Sequence, residues 1–112
     1  MAIIRECTLL RIFLGESERC GHAPLYEAIV MTARENGLAG ATVLRGPLGF
    51  GHSNHIHSAK ILRLSEDLPL VVEIVDQPDK IEAFLEVLMP MMTGGLVTLE
   101  KVQVLDYRQK AD

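Results

Sequence analysis

Apolar positions along this chain change period several times, and each change marks an element. Thr8-Leu9-Leu10-Arg11-Ile12-Phe13-Leu14 is almost continuously apolar, the pattern of a strand covered on both faces. Arg11 is its one charge, and such a side chain either snorkels to water or meets a partner that covers that face. From Pro24, which suits a first helical position, the period lengthens. Leu25, Ile29 and Ala33, joined by Tyr26 and Val30, make a helical stripe that Asn36-Gly37 stops. Ala41-Thr42-Val43-Leu44 is β-branched and apolar, and Ala59-Lys60-Ile61-Leu62-Arg63-Leu64 alternates, so both predict strands. Ser65 to Pro69 is a polar turn, and Leu70 to Val75 is a strand in which Glu73 alone is charged and needs water, an interface or a partner.

Asp76-Gln77-Pro78-Asp79 opens a second helix, its acidic residues complementing the dipole, with Ile81, Phe84, Leu85 and Leu88 at helical spacing and Pro90 as its end. Leu96 to Leu105 is a last strand whose phase slips at Glu100-Lys101, which predicts a bulge, and Asp106 onward reads as a frayed charged tail. The order is strand, helix, strand, loop, strand pair, helix, strand. It predicts a single α+β domain over residues 1–112, a split β-α-β, ferredoxin-like sandwich with both helices on one face. Strands apolar on both faces then need a second cover, and contact between subunits would supply it.

Composition narrows the function classes. The chain has 112 residues, 48% apolar and 23% charged, an ordinary globular make-up large enough for a core without staples. A net charge of -4 supplies no basic field for nucleic acid or anionic lipid. Cys7 and Cys20 read as free thiols rather than a disulfide framework. Arg5, Glu6 and Arg11 interrupt the N-terminal apolar residues, which spoils a signal-peptide core, and no apolar run reaches membrane length. A cytoplasmic protein without membrane insertion is expected.

The candidate chemistry lies between Gly46 and Ser58, a long glycine-, histidine- and serine-rich excursion between strands 2 and 3. Gly46-Pro47-Leu48-Gly49-Phe50-Gly51 is not a dinucleotide fingerprint, because no helix follows it, and it lacks the Gly-Lys-Ser/Thr of a Walker motif. Glycine N–H groups of Gly46, Gly49 and Gly51 beside Arg45, Lys60 and Arg63 are suited to cradling an anion, or else form a plain loop flanked by solvated bases. His52, His55 and His57 are candidate ligands for a divalent metal, although a structural zinc site wants four ligands. Cys20 and His22 lie on a polar connection with no orienting carboxylate evident, so no catalytic set is assigned, and a small enzyme ranks behind a binding protein.

Several blocks together resemble an uncharacterised bacterial family related to the PII signal transducers. They are Pro24-Leu25-Tyr26-Glu27-Ala28-Ile29-Val30, Gly37 to Gly46, Gly49-Phe50-Gly51, Ile56-His57, Leu64 to Pro69 and Val72 to Asp76. The resemblance covers Leu9 to Leu105 and implies a homotrimer of ferredoxin-like subunits with ligand sites in the clefts between them. It implies that residues 46–58 match the PII effector loop, which meets a protein partner such as a transporter or an enzyme. It also implies that Thr93-Gly94-Gly95 stands where PII binds phosphate, which makes an adenine nucleotide the candidate ligand. That turn has no lysine and the 46–58 segment no tyrosine, two departures from the PII pattern.

Overall fold

A computed structural model describes residues 2–49, 57–58 and 68–107. The elements in chain order are β1 (Ala2–Gly15), β2 (Arg19–Cys20), β3 (Ala23–Pro24), α1 (Leu25–Glu35), β4 (Thr42–Arg45), β5 (Leu48–Gly49) and β6 (His57–Ser58). They continue with β7 (Pro69–Asp76), α2 (Pro78–Leu88), a 3₁₀ turn (Met89–Met91) and β8 (Leu96–Tyr107). The main sheet has four strands in the order β4-β7-β1-β8, with every neighbouring pair antiparallel. With the crossovers β1-α1-β4 and β7-α2-β8, this is the ferredoxin-like α+β arrangement that the residue pattern predicts.

One sheet face carries Leu10, Ile12 and Leu14 of β1 with Leu70, Val72 and Ile74 of β7. These pack against Leu25, Ile29 and Ala33 of α1 and Ile81, Phe84 and Leu88 of α2 in one buried cluster. Each such fully buried side chain stabilises by about 1.5–3 kcal/mol relative to exposure. Gly37, at φ 77, closes α1 in a Schellman arrangement: its N–H donates to Arg34 O at 3.1 Å and that of Leu38 to Ala33 O at 3.1 Å. Asp76 joins the two crossovers, accepting from Ala39 N–H at 2.9 Å through Oδ2 and from Gln77 N–H at 2.7 Å through Oδ1.

Four details differ from the sequence expectation. β1 begins at Ala2 rather than Thr8, because β8 continues beside it as far as Tyr107 and pairs its charged start. The expected bulge is absent: β1 and β8 oppose one another residue for residue from Ala2↔Tyr107 to Phe13↔Leu96. The slip in phase arises instead because β8 is an edge strand, where Glu100 and Lys101 reach water from opposite faces. Asp106 is no frayed tail but lies in β8 and forms an ion pair with Arg5. Pro24 is extended (φ -59, ψ 138) and precedes α1 as its cap, while Leu25 N–H donates to Glu18 O at 2.7 Å. The expected strand Ala59–Leu64 lies outside the described residues.

No helix among the described residues is long and apolar enough to cross a membrane. Cys7 is buried and Cys20 half-buried, both as free thiols.

Candidate functional site

Antiparallel pairing puts opposed residues on the same face, so the register defines the sheet surface away from the helices row by row. Leu44, Val71, Phe13 and Leu96 form one apolar row across all four strands, and Thr42, Glu73, Arg11 and Thr98 form the next. Leu44 is 50% and Leu96 55% exposed. Arg11 Nε donates to Glu73 Oε2 at 2.9 Å and Nη1 to Glu100 Oε1 at 3.3 Å. The hydrogen bond to Glu73 holds the Arg11 guanidinium above the ordinary arginine range, so it stays charged. The two isolated charges of the apolar strands are thus each other's partners.

Of the candidate ligand residues, Arg45, Gly46 and Thr93-Gly94-Gly95 lie at one end of this sheet. Arg45 ends β4, Pro69 starts β7, Gly15 ends β1, and Thr93-Gly94-Gly95 leads into β8, so all lie at the same strand ends. β4 and β8 are the outermost strands, about 14 Å apart at the usual inter-strand spacing. Arg45 shortens that gap, because its Nη2 reaches over β7 to donate to Glu16 Oε2, just beyond β1.

Glycine has a steric reason at three of the candidate positions. A Cβ on Gly46 or on Gly49 would come within 3.1 Å of Pro69 Cγ, so both wrap closely around that ring. Gly46 N–H also donates to Pro69 O at 2.7 Å, which takes that amide away from an anion. Gly95 has φ +87, and a Cβ there would lie 2.4 Å from Phe13 O. Thr93 and Gly94 are exposed, and a Cβ on Gly94 would meet nothing within 4 Å. β5 and β6 pair at Leu48↔Ser58 and Gly49↔His57, which closes the base of the expected loop.

Gly51, His52, His55, Lys60 and Arg63 lie outside the described residues, and His57 is described only in its backbone pairing. Among the described residues no three His, Cys, Asp or Glu side chains gather as a metal-binding group. Sequence reasoning missed Glu16, which sits in the polar stretch Gly15 to Ala23. No local signal marks it, because its partner Arg45 is brought to it only by the sheet.

The DUF190 family model, described as an uncharacterised ACR, matches residues 7–104. A UPF0166 protein of Aquifex aeolicus (strain VF5) is 43% identical over 105 residues, covering 94% of this chain and 98% of that protein. One from Methanocaldococcus jannaschii is 30% identical over 100 residues, covering 88% and 92%. Among solved structures, CPII, a nitrogen regulatory PII-like protein from Thiomonas intermedia K12, bound to ADP, AMP and bicarbonate, superposes with a TM-score of 0.70. It shares 16% identity, with 91% of each chain covered. The GlnK-ATP complex of B. subtilis gives 0.52 at 12% identity, with 87% of this chain and 82% of that one covered. Fold and sequence agree: the chain belongs to the DUF190 (UPF0166) family, an uncharacterised family related to PII-like proteins.

Proposed function

We propose that this chain is a non-enzymatic regulatory subunit of PII type that binds a small anionic ligand, with an adenine nucleotide as first candidate. The site lies at the sheet end bounded by Arg45 and Thr93–Gly95. The subunits associate as a homotrimer through the sheet face away from the helices, and residues 46–58 present the bound state to a protein partner in the cytoplasm.

One observation carries the reading. Arg45 and the Thr93-Gly94-Gly95 turn, far apart in sequence, lie at the same end of the sheet, and the Arg45 side chain reaches across to Glu16 just beyond β1. Arginine grips phosphate with two parallel charge-assisted hydrogen bonds, and exposed backbone N–H groups of a glycine turn add to them. The PII-like neighbours lend the ligand class: CPII is bound to ADP and AMP, and GlnK to ATP. With no lysine in the turn, affinity is modest, sensitive to salt and biased toward few phosphates. The apolar row from Leu44 to Leu96 supports assembly, since its ends stay half exposed in one subunit. For the ligand to regulate, it must bind one of two states of the subunit more tightly than the other.

The test is calorimetric titration of wild type and Arg45→Ala with AMP, ADP, ATP and cyclic AMP. Wild type binds at least one of them, and the variant binds it about tenfold or more weakly, the usual loss for a hydrogen bond to a charged group. Absence of binding to all four rejects the nucleotide; equal binding by the variant rejects Arg45.

A further inference from the structure

Arg45 does not stand as a free base at the end of β4, because Glu16 Oε2 accepts from its Nη2. Glu16 N–H donates to Leu68 O at 2.8 Å, and Gly46 N–H to Pro69 O at 2.7 Å. The pair therefore joins three segments: the turn after β1, the end of β4 and the start of β7. That turn is hydrogen-bonded to the start of α1 across the β2–β3 hairpin. Gly15 N–H donates to Glu18 Oε2 at 2.7 Å, and the Glu18 carbonyl accepts from Leu25, the first residue of α1, at 2.7 Å. The second carboxylate oxygen, Glu16 Oε1, is buried and has no hydrogen-bond partner among the described residues. Closing the pair thus leaves one charged oxygen unsatisfied, which favours its release.

We propose that Glu16–Arg45 is an autoinhibitory latch. Glu16 occupies the guanidinium as an internal stand-in for the ligand's anion. An incoming phosphate takes Arg45 and uncouples the β1–α1 turn from the end of β4. This rests on the anion site proposed above and adds its regulation. The side chains of Arg45 and Glu16 are 53% and 21% exposed, so the pair biases the closed state by about fivefold at most. A phosphate that offers two oxygens in the guanidinium plane competes well with a carboxylate whose other oxygen is orphaned. The chemistry required of the ligand is an exposed phosphate group.

Amide hydrogen exchange at Gly46 and Leu25 tests the latch in wild type and Glu16→Gln, in sodium chloride and in sodium phosphate of equal ionic strength. In chloride the variant exchanges the Gly46 amide about threefold to fivefold faster than wild type. Phosphate brings wild type to the variant's rate and changes the variant little. Arg45→Gln, read at Leu25, reproduces the acceleration from the other side of the pair. Equal rates for wild type and Glu16→Gln in chloride overturn the latch, as does a wild-type rate that phosphate leaves unchanged. A parallel titration with ADP separates the two proposals: phosphate that opens the latch while ADP fails to bind rejects the nucleotide and leaves the latch standing.

Discussion

Leu10, Ile12, Leu14, Leu70, Val72 and Ile74 look toward the helices, and every one is buried. One residue over on the same strands, Phe13 and Val71 continue into a row whose ends, Leu44 and Leu96, stay 50% and 55% exposed. The strand alternation assigns each residue to its face, but among the described residues only the face toward the helices is covered. The helix-covered face therefore governs whether the subunit folds. The other face, with its apolar row and the Arg11–Glu73 pair, is what the proposed trimer needs.

The contrast breaks most visibly in the core. Phe84→Ala removes a side chain that is 1% exposed and should cost about 3–5 kcal/mol in urea denaturation. Leu44→Ala, at dilutions where subunits separate, should cost less than about 1 kcal/mol. Equal costs would erase the distinction between the faces.

A smaller effect separates two adjacent glycines. Gly95→Ala strains a backbone at φ +87 and drives a methyl toward Phe13 O, so it should lose roughly 1–3 kcal/mol, seen as a lower urea midpoint. Gly94→Ala meets nothing within 4 Å and should be close to neutral. Leu44→Asp combined with Leu96→Asp should leave the circular dichroism of the subunit unchanged while lowering the mass of the assembly. Glu73→Gln should have the least effect, a slight drop in midpoint that molar salt abolishes, since the pair is partly exposed.

The helical stripes of Leu25, Ile29 and Ala33 and of Ile81, Phe84 and Leu88 were legible in the sequence, because burial on one face imposes a period. Arg11 and Glu73 stood out as lone charges in apolar strands, but their pairing depends on the Arg11↔Glu73 register, which joins distant segments. The apparent bulge at Glu100-Lys101 was misread from phase alone, since an edge strand lets both parities reach water. At the candidate site Arg45 could be picked by type and place. Glu16 could not, because an acid in a polar turn is ordinary until the fold sets it beside a base. Gly46 and Gly49 suggested an anion cradle and the resemblance added Gly95 in a phosphate turn, yet contact with Pro69 and with Phe13 O accounts for each of them as glycine.

The face without helices carries the proposed assembly, because its apolar row ends in Leu44 and Leu96, both half exposed in one subunit. Light scattering of the wild-type protein at micromolar concentration tests it directly. A mass close to three times the 12.4 kDa of the chain is the predicted result. A mass of one chain, unchanged on raising the concentration, would contradict it.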